Sequence, residues 1–305
     1  MSGELTRRIV FGVIAAPLAI AILLYGDWPL AGLLAIVSAL AASEFFRIAR
    51  TAGVQPFENI GTAISGLIPL LVHARVLRIY DPAGRVGPLS LIALLLLALL
   101  ALSIWTRGVT GKPLGSVAAT VFGIAYTGGM LSFGYAIRYH DYASAPAQMT
   151  IGSRTVEVAA GALLLLLPVF ATWASDIGAY AVGRTMGRHK LIPSVSPGKT
   201  VEGAIGGLLA SMLVAGMYTA FVLRPAAHLG FRYPPLGVLI FGALMSVAAQ
   251  IGDLAESLLK REAGVKDSSN LIPGTGGILD RLDSLIFVMP VTFVLFSFML
   301  TWVPT

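Results

Sequence analysis

Cysteine is absent from the 305 residues. That excludes disulfides, thiolate zinc sites and a cysteine nucleophile. Charge is scarce as well: Asp, Glu, Lys and Arg make up 12% of the chain, against about 25% in soluble domains. So little charge could not clothe a water-soluble fold of this length. Histidine occurs four times, as His73, His140, His189 and His228, with no HExxH pair of the kind a membrane metalloprotease needs. What fills the space is apolar: 56% hydrophobic residues and a mean hydropathy of +0.84. The class expected is an all-α, polytopic integral membrane protein. The net charge of +6 then reports topology and anionic headgroups, with no nucleic-acid partner implied.

Apolar windows of spanning length fall near 9–25, 29–46, 60–77, 88–105, 115–137, 158–181, 203–223, 236–258 and 285–302. Each is long enough for a helix across the hydrocarbon core, the only sensible span for such runs. About nine transmembrane helices follow. Arg7 and Arg8 ahead of the first window resemble a signal peptide, but further apolar windows follow at once, so a retained anchor is expected. With the N-terminus inside and the C-terminus outside, fourteen of the 21 Lys and Arg residues fall on inner segments and seven on outer joins. This is the direction of the positive-inside bias. Residues 1–157 read as about five Leu/Ala-rich helices. Residues 158–305 read as about four helices carrying two polar inner joins, a catalytic region within one membrane-embedded unit and without a separate soluble domain.

Acids stand where lipid is expected. Asp176, Tyr180 and Arg184 follow at i, i+4 and i+8, one face of a helix. Asp253 and Glu256 close the eighth window, with Ser257 and Lys260 continuing the Asp253 face; Asp280 and Asp283 precede the ninth. Ionised carboxylates facing lipid are costly, so each requires a partner, a cation or a watery cavity. Ordinary helix-end charges would account for any one of them. Three acidic positions on one side, each beside Gly, Lys and Arg, favour a phosphoryl-chemistry site, because magnesium bridges carboxylates to phosphates.

The two inner joins carry the remaining polar density. Pro197-Gly198-Lys199-Thr200 is reminiscent of a P-loop, yet Pro193 occupies the position of the first required glycine, and the approach is a membrane helix rather than a buried strand. The P-loop reading fails. A Ser/Gly/Lys/Thr turn entering a helix survives, with Ser196, Lys199 and Thr200 able to meet an anion, and Glu202 either paired with a lysine or holding the turn. The other join, Ser257 to Asp283, brings Lys260, Arg261, Lys266 and Arg281 together with Asp267, Asp280 and a glycine-rich segment, Pro273 to Gly277, suited to close approach.

That second join resembles the signature of the phosphatidate cytidylyltransferases, also called CDP-diacylglycerol synthases. The matching residues are Ser257, Lys260, Arg261, Lys266, Asp267, Ser269, Pro273, Gly276, Gly277, Asp280, Arg281 and Asp283, preceded by Gly252-Asp253-Leu254 and Glu256. The first join is similar to the same family at Ser175-Asp176, Ala179-Tyr180, Gly183-Arg184, Ser196-Pro197, Lys199-Thr200 and Glu202-Gly203. Thr275 departs from the pattern, standing where the family signature has histidine. The resemblance implies transfer of a cytidylyl group from CTP to phosphatidic acid, releasing pyrophosphate, with Mg²⁺, two divalent ions, as cofactor. It also implies a multi-pass protein of the cell inner membrane whose site faces the cytoplasm. The family's metal-binding acids carry over to Asp253 and Asp280.

The physical expectation is that positioning and charge neutralisation carry the rate, because the phosphatidate is already an anion and the problem is meeting a polyanion. Asp253 and Asp280 are expected on metal, with Asp283 as a further ligand or orienting group. Lys266 and Arg281 complete the expected catalytic set. Lys260, Arg261, Lys266 and Lys199 are expected on phosphates, with Ser196, Thr200, Asp267, Gly276 and Gly277 lining the nucleotide. Asp176, Tyr180, Arg184, Glu202, Glu256, Ser257 and Thr275 are expected in support. CTP, phosphatidic acid and membrane lipids are the expected partners, and a homodimer is one assembly open to the chain. Competing readings are a cytidylyltransferase for another membrane lipid phosphate and a secondary transporter with buried acids and broken helices.

Overall fold

Hydropathy and length together yield helices throughout. The computed structural model describes residues 15–77, 82–144, 146–151, 154–271 and 276–303. Helix α1 covers Ala15–Tyr25, followed by α2 Asp27–Thr51, α3 Glu58–Val76, α4 Pro82–Thr106, α5 Pro113–Ile124 and α6 Met130–Arg138. The C-terminal half contributes α7 Ala160–Met186, α8 Val201–Tyr218, the short α9 Arg224–Ala227, α10 Leu236–Glu262 and α11 Leu279–Met299. Eight segments among the described residues are long and apolar enough to cross a membrane. They fall on the second to ninth expected windows, so the chain is a polytopic, predominantly helical membrane protein. Residues 9–14 of the first window lie outside the described residues.

The helices outrun their apolar windows. α7 continues to Met186, α10 to Glu262, and α11 begins at Leu279 rather than near 285. Hydropathy marks the lipid-facing part of a helix, not its hydrogen-bonded length, and the charged turns at either end are invisible to it. Asp280 and Asp283 therefore sit in the first turns of α11 instead of ahead of it, and Lys260 and Arg261 sit on α10 instead of in the join.

The joins also hold three short antiparallel pairs: β1 Pro146–Ile151 with β2 Arg154–Ala159, β3 Lys190–Ile192 with β4 Ser196–Thr200, and β5 Leu229–Phe231 with β6 Leu300–Trp302. The expected turn at Ser196–Thr200 is thus a strand, paired Lys190 to Thr200 and Ile192 to Ser196.

The described residues group into two compact units that do not follow chain order. One contains 27–135 and 259–281; the other contains 15–26, 136–258 and 282–303. In the second, α7 lies against α8 with almost no side chain between them. A Cβ on Gly203 would sit 2.8 Å from the Ala179 carbonyl, and one on Gly207 2.8 Å from that of Ser175. Small residues allow this approach where no hydrophobic force drives helices together. Hydroxyls then stitch α10 in: Ser175 Oγ lies 2.7 Å from Ser246 Oγ, and Ser211 Oγ donates to the Gly242 carbonyl at 2.8 Å. In the first unit, α2, α3 and α5 enclose Phe45 and Phe46, both buried. Gly61 and Gly123 face the Phe46 ring.

Candidate functional site

In the second unit, the close packing of α7 on α8 fixes the entry of β4 into α8. Thr200 caps α8, its Oγ1 accepting from Gly203 N at 3.1 Å. One residue earlier, Lys199 leaves the strand and places Nζ 2.7 Å from Asp253 Oδ2 on α10. Asp253 also accepts from Ser257 Oγ at 3.4 Å. A cavity of about 560 Å³ opens beside this pair, with Asp176, Tyr180 and Arg184 along one wall and Ser196, Thr200 and Gln250 on the others. Gln250 is fixed by bonds from Nε2 to the Ala204 carbonyl and to Ser246 Oγ, at 3.1 and 2.9 Å.

Arg184 Nη1 donates to the Tyr180 hydroxyl at 2.6 Å, and its guanidinium lies 5.9 Å from the centre of that ring. The shared face read from the sequence is therefore a single wall. Glu202 holds the turn rather than a lysine: it accepts from Arg188 N at 3.0 Å and lies 2.6 Å from His189 Nδ1. The cavity is thus lined by two carboxylates, an ammonium, a guanidinium and three hydroxyls, a set able to hold phosphates together with a cation.

The first unit holds a different arrangement. Asp280 Oδ1 takes Lys260 Nζ at 2.7 Å, and Oδ2 takes Gly277 N at 2.7 Å and Ser268 N at 3.0 Å. Both side chains of this ion pair are about nine-tenths buried, at 11% and 10% exposure. Next to it is a residue that sequence reasoning missed, Glu44 of α2. Its Oε1 accepts from Ser269 Oγ at 2.5 Å and Ile278 N at 3.1 Å, while Oε2 accepts from Leu279 N at 2.8 Å. Ser268 Oγ lies 2.8 Å from Glu44 Oε2 and 2.8 Å from Asp280 Oδ2. A hydroxyl has one proton, so it serves one carboxylate at a time.

Arg47, one turn further along α2, donates to the Ser268 carbonyl at 2.5 Å. Glycine is required twice in this knot. Gly276 has φ +91°, and a Cβ on Gly277 would strike Ser268 Oγ and the Glu44 carboxylate.

Glu256 is buried on α10. Asp283 Oδ1 accepts from its neighbour Ser284 N at 2.6 Å. Arg261 Nη1 donates to the Val265 carbonyl at 3.3 Å, and Lys266 and Arg281 are exposed. Asp267 lines a smaller cavity of about 240 Å³ with Arg47, Thr51, Ser269 and Asn270. Thr275 and Pro273 lie outside the described residues. Among the described residues no group of three or more His, Asp or Glu side chains is assembled to hold a metal ion.

The chain is similar to known proteins over nearly its whole length. The model of the cytidylyltransferase family matches residues 6–299. A phosphatidate cytidylyltransferase of Synechocystis sp. is 32% identical over 299 residues, covering 94% of this chain and 95% of that protein. Proteins of the same name from Staphylococcus saprophyticus and Bacillus subtilis are 46% identical over 126 residues and 44% over 125. Those matches span 41% of this chain and 46% and 44% of the two relatives. The chain belongs to the cytidylyltransferase family.

Proposed function

We propose that the protein transfers the cytidylyl group of CTP to phosphatidic acid, giving CDP-diacylglycerol and pyrophosphate. The observation that supports this best is the Lys199–Asp253 pair at 2.7 Å, bordering a cavity it shares with Asp176. The phosphate oxygen of the lipid attacks the α-phosphorus of CTP, the bond to the β-phosphate oxygen breaks, and pyrophosphate departs with that electron pair. The nucleophile is already anionic, so the site's work is to assemble and neutralise. Lys199, with the Ser196 and Thr200 hydroxyls, is proposed on one phosphate group, and Lys260, Arg261, Lys266 and Arg281 on the other.

A divalent cation, Mg²⁺ by the family's habit, would supply charge neutralisation at the triphosphate. The donor chemistry fits at Asp253: hard carboxylate oxygens from Asp253 and Asp176 face one open cavity, with substrate phosphates to complete the shell. Asp280 and Asp283 remain proposed as further ligands. Asp280 already accepts from Lys260 Nζ, Gly277 N and Ser268 N, so a cation there competes with Lys260 for Oδ1. The proposed topology has nine spans, N-terminus inside and C-terminus outside, with the active site facing the cytoplasm, where CTP is found.

The deciding experiment supplies purified protein with labelled CTP and a panel of lipid phosphates, with and without Mg²⁺. Chloroform-soluble label that depends on phosphatidic acid and on Mg²⁺ is expected. Label transferred only to a different lipid phosphate, or none at all, would overturn the assignment.

A further inference from the structure

The second unit has another cavity, larger than the catalytic one and at the other end of the same helices. It encloses about 700 Å³ and is bordered by the last turns of α8, the β5–β6 pair and the start of α10. The helical stretch Val201–Ala227, which α8 opens beside Lys199, lines this cavity from Gly216 to Arg224, a run of roughly 22 to 35 Å at 1.5 Å per residue. That brackets the thickness of a hydrocarbon core, roughly 30 Å. The two cavities therefore belong to opposite edges of the membrane.

Its walls are chiefly apolar, with Val238 and Leu239 on α10 and Phe231 on β5. Two arginines, Arg224 and Arg232, both exposed, are among its lining residues, with Tyr233 and Trp302, which are also exposed. No acid lines the cavity, and neither arginine side chain has a hydrogen-bond or ion-pair partner among the described residues. Arginine and aromatic rings often sit singly at membrane edges as anchors. Anchors of that kind need no shared cavity. Here two arginines line one chiefly apolar recess, where an uncompensated charge calls for an anion.

We propose that this recess is a binding site for an anionic phospholipid of the leaflet opposite the catalytic cavity. Arg224 and Arg232 hold its phosphodiester, Tyr233 and Trp302 flank the headgroup, and the acyl chains run along Val238 and Leu239. The site is separate from the reaction, and its occupancy needs neither CTP nor turnover.

The test places the full-length protein in phosphatidylcholine nanodiscs with a minority of phosphatidylglycerol and counts retained lipids by native mass spectrometry. Phosphatidylglycerol is a diester, so it does not substitute for the phosphate monoester of the proposed reaction. Wild type should retain one phosphatidylglycerol in preference to phosphatidylcholine. In the Arg224→Gln/Arg232→Gln variant retention should fall about 30-fold, the effect of two basic side chains at an anionic surface. Val238→Trp, which fills the recess without touching charge, should lower it as well, and both variants should keep wild-type CTP turnover. Equal retention by wild type and the double variant, or no preference over phosphatidylcholine, would overturn the proposal even if the enzymatic reading stands.

Discussion

Two regions of this protein use the same chemistry, a carboxylate beside a lysine, to opposite ends. Around Asp280 the carboxylate is saturated: lysine, two backbone N–H groups and a hydroxyl all point at it, and Glu44 gathers a second set of donors from the same loop. Around Asp253 the carboxylate meets Lys199 and a long bond from Ser257, and the rest of its surroundings is an open cavity. A buried carboxylate whose lone pairs are all met fixes a backbone. One with unfilled directions beside a cavity can still accept a ligand. Within the present geometry Asp280 organises the glycine-rich loop, while Asp253 is presented to whatever enters.

Neutralising the open carboxylate should have the largest consequence. Asp253→Asn keeps the volume and removes the charge. Turnover of labelled CTP into lipid should fall by about 100-fold or more, the usual cost of losing a preorganised electrostatic group. Extraction and the thermal midpoint should change little, because only the Ser257 bond and the pairing with Lys199 depend on it. Near-wild-type turnover would remove Asp253 from the chemistry.

Glu44→Gln tests the saturated partner and should show the reverse pattern. The amide would keep one acceptor oxygen and turn its NH2 toward one of two N–H groups that cannot rotate, that of Ile278 or that of Leu279, so the cost should be about 3 kcal/mol, as expected for losing a buried bond to a charged acceptor. A lowered thermal midpoint, with proteolysis beginning in the loop near Gly276, is the expected reading. If Glu44→Gln left stability unchanged and abolished only turnover, the division between open and saturated acids would collapse.

This division could be read from the sequence only in part. The spans were visible because lipid imposes long apolar runs, and the Asp176–Tyr180–Arg184 wall was visible because helical spacing alone puts those residues together. The pairing of Lys199 with Asp253 crosses 54 positions and that of Lys260 with Asp280 spans a loop, so neither follows from local spacing. Sequence adjacency instead suggested Lys260 on the Asp253 face; in the structure its ammonium bonds to Asp280. Glu44 left a signal that went unused: it is the sole acid in the apolar window 29–46, and an acid in such a window demands a partner. The small antiparallel pairs were not read from the sequence, since strands of three to six residues offer too short a stretch for a period of two to stand out.

The smallest expected effect refines how the open site is held. Thr200 stands between strand and helix: its backbone pairs with Lys190, and its side chain caps α8 through Gly203 N. Thr200→Ala removes the cap and should cost about 1 kcal/mol, whereas Thr200→Ser keeps the oxygen and should restore most of it. If Thr200 only caps, the loss should appear in the thermal midpoint of both CTP-bound and free protein, with the KM for CTP nearly unchanged. A raised KM that serine rescues would mean that the hydroxyl meets phosphate directly. The cap and the ligand would then share one oxygen, and the open region would be using its own architecture as a binding group, which the saturated region around Asp280 has no spare lone pair to do.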